Sequence, residues 1–354
     1  MPKIAAVTTA VPPHVVLQDQ ARTFAERYFR LHRRDVERLA AVFEHTGIEK
    51  RHICVPSDWF EASRSFEEKN ALYIYWATRL GVDDVRAAAE KAGVPTSEIT
   101  HIVFVSTTGL ATPSVDSRIA NVLGLSPHIV RTPIWGLGCA GGASGLSLAY
   151  RLAKGDPQAL IALVCVELCS ITFHFGDFSK SNFVATSLFA DGAAGVLVAG
   201  DERAASIQAR GPAINASLST TWPDSLDVMG WNFDSVGMQV VFSRAIPQIV
   251  QEKARTNCGK FLSSQGLDFD KIDHFVAHPG GAKVIEAYQE ALPLRPCAMT
   301  HARTVLRDYG NMSSPTVLFV LDRLLDSGAP KDGDHALLTA LGPGFSSEQV
   351  LLQF

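Results

Sequence analysis

The 354-residue sequence is short of several things that would point to a specialised class. Net charge is one: 32 Lys and Arg against 36 Asp and Glu leave −4, which argues against a nucleic-acid or anionic-membrane partner. Cysteine is another. Six are spread over positions 54, 139, 165, 169, 258 and 297, and Cys165 and Cys169 fall inside an apolar run. That pattern reads as a reduced, cytoplasmic protein rather than a disulfide scaffold. Cys165 and Cys169 have no second ligand pair at zinc spacing, so no metal is implied. No stretch reaches the roughly eighteen apolar residues that a membrane span needs. The opening Met-Pro-Lys-Ile-Ala-Ala-Val-Thr-Thr-Ala-Val-Pro-Pro is broken by prolines and lacks a basic segment followed by a long apolar one, unlike a signal peptide. What remains is 47% hydrophobic content at 19% charge, a folded chain with room for two cores.

Strand-like and helix-like segments alternate, which predicts an α/β fold. Ile4 to Val7 reads as a buried strand, Leu17 to Glu44 as one amphipathic helix and Asn70 to Lys91 as another. Strands follow at Ile102 to Ser106, Ala159 to Val166 and Gly192 to Val198, with a helix from Cys139 to Lys154. The order then recurs. Glu98-Ile-Thr-His-Ile-Val-Phe-Val-Ser106 has a counterpart in Lys271-Ile-Asp-His-Phe-Val-Ala-His-Pro279, and Gln158 to Cys165 has one in His335 to Leu341. Chance agreement between buried strands is the competing explanation. If the repeat is real, the halves are 1–205 and 206–354, with a seam at 200–211 and a site between them.

Three residues carry candidate chemistry. In Trp135-Gly-Leu-Gly-Cys139-Ala-Gly-Gly, one cysteine sits in a glycine-rich turn that opens into a helix. Unpaired N–H groups and the macrodipole there favour a thiolate. The alternative is a small buried thiol in a tight turn. His278 ends a strand and precedes Pro-Gly-Gly, where α/β proteins place ligand groups; it could hydrogen-bond a carbonyl, pair with a thiolate, or merely cap a loop. Asn311 follows Gly310 before a helix opened by Ser313, Ser314 and Pro315. It reads either as a turn residue or as an uncharged donor for an oxyanion.

The motifs Trp135-Gly-Leu-Gly-Cys139-Ala-Gly-Gly, Leu188-Phe-Ala-Asp-Gly-Ala-Ala194, His278-Pro-Gly-Gly, Tyr309-Gly-Asn-Met-Ser-Ser and Leu341-Gly-Pro-Gly-Phe345 together resemble the type III polyketide synthases, the chalcone synthase superfamily, across essentially the whole chain. The resemblance implies a thiolase-like fold of two duplicated βαβαβ halves in five α-β-α-β-α layers, a homodimer, and a Cys139, His278, Asn311 triad. Acyl-CoA and malonyl-CoA would be the substrates, with no cofactor. Cys139 would accept the acyl group while His278 and Asn311 steady the thioester carbonyl as malonyl-CoA loses carbon dioxide. Phe189 matches one gatekeeper phenylalanine. The second falls at Val240, or at Phe242 if the register slips. Thr107, Thr112, Cys169, Thr172 and Ser313 take cavity-shaping places, and Arg38, Gly280 and Gly281 take CoA-binding ones. The run 227–232 with 241–247 most resembles bacterial alkylresorcinol and alkylpyrone synthases, which extend long fatty acyl starters. The segment Pro56 to Ala62 reads as an insertion facing either tunnel or solvent. Fatty-acid-initiating β-ketoacyl carrier-protein synthases share fold and triad chemistry and are the main alternative, ahead of a non-enzymatic acyl-holding partner.

Overall fold

In the computed structural model, residues 1–30, 32–234 and 237–354 are described. The first half runs β1 (Lys3–Ala10), β2 (His14–Leu17), α1 (Gln18–Arg30), α2 (Val36–Glu44), β3 (Lys50–Ile53), α3 (Phe66–Ala92), β4 (His101–Val105), α4 (Val115–Leu123), β5 (Val130–Ile134), α5 (Gly141–Gly155), β6 (Leu160–Leu168), α6 (Lys180–Leu188) and β7 (Asp191–Ala199). After α7 (Asp201–Ser206) come β8 (Ala213–Thr221), β9 (Met229–Phe233), β10 (Met238–Phe242), α8 (Ile246–Ser264), β11 (His274–Ala277), α9 (Ala282–Ala291), α10 (Thr300–Tyr309), α11 (Thr316–Asp326), β12 (His335–Gly342) and β13 (Ser346–Gln353).

The topology repeats. In the first half β5, β4 and β6 run parallel, then β7 and β1 follow antiparallel; in the second β11 and β12 run parallel, then β13 and β8 antiparallel. Strands β4 and β11, and β6 and β12, are the pairs whose sequences match. Rather than two separate sheets, the halves join edge to edge where Lys3 meets Ala213, giving one nine-stranded sheet. Helix α5 touches β4, β6 and β7 as well as β8, β12 and β13, and α11 touches β1 and β7 as well as β11 and β12. These two helices therefore form a layer between the halves. Strands β6 and β7, buried at every position, are the continuous apolar runs that two covered faces require.

Two helix expectations are corrected. Residues 17–44 are not one helix: the chain turns after α1, where Arg33 holds Asp35 at 2.9 Å twice and the Phe178 carbonyl at 2.9 Å. The turn lets Phe29 of α1 and Phe43 of α2 both reach Phe183, at ring distances of 5.0 and 5.7 Å, which a straight helix could not do. Helix α3 starts earlier than its periodicity suggests because Ser65 and Glu68 cap it reciprocally, at 3.1 and 2.8 Å.

Helix α5 opens against the turn before α11, and glycines at its start permit it, Gly142 above all. A Cβ on Gly142 would run into the Ser314 carbonyl oxygen and stand 2.9 Å from Val317. Gly142→Ala is therefore expected to lower unfolding free energy by about 1–3 kcal/mol. A denaturation midpoint equal to that of the wild type would show that the two helix starts separate without cost.

Candidate active site

The sequence motifs meet at the seam between the halves. Cys139 lies in a single 3-10 turn, Gly138–Ala140, at the mouth of α5. Gly138 adopts φ +48°, a left-handed conformation, with Pro343 2.9 Å from where its Cβ would stand. Asn311, in the turn after α10, places Oδ1 4.0 Å from the Cys139 sulfur. The Ser313 N–H donates to that Oδ1 at 2.8 Å, and the Asn311 amide donates to the Gly280 carbonyl at 3.2 Å. His278 follows β11, its backbone N–H bound to the Thr339 carbonyl at 2.9 Å. All three side chains border one cavity of about 10 Å³ with Met229, Phe242, Ile246, Gly280, Val284 and Leu341. That space holds about one water.

Burial sets the resting charges. It pushes the Cys139 thiol up to about 11, although hydrogen bonding with Ser313 and Asn311 pulls the other way. It pushes the His278 imidazole down to about 3. The helix-terminal thiolate anticipated above is therefore not the resting form: desolvation outweighs the helix end, and thiol faces neutral imidazole. Both His278 ring nitrogens are buried without a protein partner, so a polar group entering the cavity would find one N–H donor and one acceptor unpaired there.

A larger cavity of about 480 Å³ has a separate lining. Phe189, Cys169, Thr172 and Val240 line it, together with Phe24, Phe60, Phe173, Trp231 and Met238. The ring that meets Phe189 is Phe242, edge to face at 6.2 Å, not a residue at position 240. Phe242 borders the triad cavity and Phe189 the large one, so their contact is the partition. Val240 stands on the same strand face two residues away and forms wall. Ser57, Asp58, Phe60 and Glu61 also line the large cavity, which places the 56–62 segment at the tunnel rather than on bare surface.

Other expected residues lie elsewhere. Thr107 does not face the large cavity: its Oγ1 accepts from the Gly138 N–H at 3.1 Å, behind the nucleophile turn. Thr112 is exposed and borders neither cavity. Arg38 is exposed on α2 and paired with Asp35 at 3.4 Å, because its helix position points to solvent. Ser313 is buried beside the sulfur, at φ +58°. Gly280 borders the triad cavity, and Gly281 precedes α9.

Glu167 went unnoticed in the sequence, although a lone carboxylate inside the apolar strand β6 was its signal. Wholly buried, it accepts from the Thr107 N–H, the Thr108 hydroxyl and the Ser314 hydroxyl, each at 2.9 Å. It thereby ties β4 and β6 of one half to the Ser314 turn of the other. Asp191, also buried, accepts from the Cys54 and Ser170 N–H groups at 2.7 Å and fixes the turn that carries Cys169.

Models of the chalcone and stilbene synthases match this chain over residues 2–202 for the N-terminal domain and 213–354 for the C-terminal domain. The chain belongs to the chalcone and stilbene synthase family. It is 40% identical to a Bacillus subtilis (strain 168) protein named "Putative chalcone synthase", over 99% of this chain and 98% of that one. It is 34% identical to the 1,3,6,8-tetrahydroxynaphthalene synthase of Streptomyces peucetius subsp. caesius, over 99% and 93%. The crystal structure of the 1,3,6,8-tetrahydroxynaphthalene synthase of Streptomyces coelicolor A3(2), a bacterial type III polyketide synthase, superposes with a TM-score of 0.94 at 25% identity, covering 99% of both chains. The protein is thus a type III polyketide synthase, an acyltransferase that forms carbon–carbon bonds with decarboxylation.

Burial raises the Glu167 carboxyl from 4.5 to about 7. The folded state then holds a proton that the unfolded chain has released, so this group's stabilising contribution is full below about pH 4.5 and is lost as pH rises towards 7. The amount at stake is on the order of 3 kcal/mol. Glu167→Gln removes that slope. Melting temperatures of the two proteins should therefore converge or cross between acidic and neutral pH, and a gap independent of pH would mean that the carboxyl titrates normally.

Proposed function

We propose that this synthase loads a long-chain fatty acyl group from acyl-CoA onto Cys139, extends it with malonyl-CoA, and cyclises the product to an alkylpyrone or alkylresorcinol. The observation that carries the reading is the mainly apolar cavity of about 480 Å³ behind Phe189, large enough for an acyl tail and walled by Val16, Phe24, Phe60, Val240 and their neighbours. Val240 is a small member of that wall, while Phe242 supplies the ring that meets Phe189.

In the loading step the Cys139 sulfur, its proton passing to His278, attacks the thioester carbonyl, and the CoA thiolate leaves with a proton. His278 and Asn311 then donate to the carbonyl oxygen of malonyl-CoA. Loss of carbon dioxide leaves an enolate, and such donors stabilise its oxygen by a few kcal/mol each. The enolate carbon attacks the acyl carbonyl on Cys139, forming the carbon–carbon bond and expelling the thiolate, so chain elongation continues from the CoA-bound product. For this movement the Phe189–Phe242 contact opens, since the closed triad cavity holds about one water. Gly280 and Gly281, with bare backbone beside the triad, support a CoA-binding role for that turn; Arg38, paired away on α2, is the weaker CoA candidate. The chemistry draws on CoA thioesters and no other cofactor.

A homodimer is part of the same reading. Strand β5 ends the sheet with exposed residues, and Trp135 beside it, 46% exposed, contacts the ring of Phe233, 56% exposed, at 5.9 Å. That apolar edge fits a second copy. All six cysteines are unpaired, and among the described residues no helix is long and apolar enough to cross a membrane. The free thiols support a cytoplasmic setting.

Saturated acyl-CoA starters of graded length test the assignment. Each methylene buried contributes about 0.8 kcal/mol, so kcat/KM should rise about fourfold per carbon until the cavity is full, and Val240→Phe should move that limit to shorter tails. Extension of small or aromatic starters alone, or a requirement for malonyl carrier protein, would overturn the long-chain reading. Separately, mass spectrometry should find the acyl adduct on Cys139 and lose it in Cys139→Ala; an adduct persisting elsewhere would reject the nucleophile.

A further inference from the structure

Arg51 of β3 is buried at 4% exposure and forms no ion pair with any described acid. Its guanidinium instead donates to main-chain carbonyls of Thr186 at 2.6 Å, Ser187 at 3.1 Å and Phe189 at 3.2 Å, and to the Gln18 side chain. Its Nε has no partner. Burial lowers its pKa to about 10, so it remains a cation at neutral pH. A buried charge paired only with neutral dipoles is costly, and what it secures here is geometric. The three carbonyls belong to the final turn of α6 and the residue after it, a helix end without a basic residue of its own. Gln18, at the start of α1, adds its own bonds to the Ser187 carbonyl at 3.0 Å and the Thr46 hydroxyl at 2.8 Å.

The clamped segment leads directly into the site. Phe189 is bridged to Asn311 through the main chain: the Asn311 N–H donates to the Leu188 carbonyl and the Ala190 N–H to the Asn311 carbonyl, both at 2.9 Å. One short piece of backbone thus carries the gate ring, which meets Phe242, and borders the amide that faces the Cys139 sulfur. We propose that Arg51 is the positioning residue of the gate, holding the Phe189 backbone so that the ring closes on Phe242 while Asn311 stays beside Cys139. A planar fork with several fixed N–H directions meets three carbonyls at once; a lysine ammonium of similar reach does not. The inference rests on the site assignment made above.

The test is a double-mutant cycle on kcat/KM for lauroyl-CoA with Arg51→Lys, Phe189→Leu and the double variant, with melting curves and the ratio of carbon dioxide released to carbon–carbon bonds formed. If Arg51 acts through Phe189, Arg51→Lys costs about tenfold in the wild-type background and less than about twofold beside Phe189→Leu. It also raises the carbon dioxide ratio while the melt stays cooperative. Equal losses in both backgrounds, or no loss, would overturn the proposal and leave Arg51 as a fold residue only. Should Arg51→Lys fail to fold, Gln18→Ala, which removes a single partner of the fork, takes its place in the cycle and is judged by the same non-additivity. Wild-type turnover that survives Cys139→Ala would instead overturn the site assignment, and this inference with it.

Discussion

Everything chemical in this molecule depends on two helix starts being held closer than side chains allow. Helix α5 begins against the turn before α11, and Gly142 is the position that makes room for the Ser314 carbonyl. From the other side the Glu167 carboxyl reaches the Ser314 hydroxyl. One half supplies the sulfur, the other the imidazole and the amide. Neither half brings these groups together alone, and the buried polar stitch between them fixes the Cys139–Asn311 separation.

That closeness has an electrostatic consequence. A water-poor seam favours neutral forms, so sulfur and imidazole rest uncharged despite the helix end beneath Cys139. A carbonyl entering this seam would meet the unpartnered His278 nitrogens in a medium of low dielectric, where polar contacts act more strongly than in water. The same dryness keeps carboxyls such as Glu167 protonated longer than usual.

Much of this was legible in the chain, for identifiable reasons. Turn signals of glycine and proline drew attention to Cys139, His278 and Asn311 but left plain turn or buried residues as rival readings, and only the family motifs singled the three out together. The buried strands betrayed the duplication, because period and length survive where identity does not. Contacts between residues far apart in sequence were hidden. That Phe242 rather than position 240 meets Phe189 depends on how the β9–β10 hairpin sits over α6; that Thr107 supports the nucleophile turn depends on β4 ending beneath it. The break between α1 and α2 escaped periodicity because both pieces are amphipathic, and only the shared contact with Phe183 sets them at an angle.

The short turn Ser57–Glu61 bears on the shape of the large cavity. Four of its residues wall the large cavity, yet it belongs to no sheet and is held to α1 by an exposed Arg27–Glu61 ion pair. Residues can be added or removed there without disturbing a strand register or the seam between the halves. The volume of the large cavity is therefore set partly by a short segment that the nine-stranded sheet does not constrain.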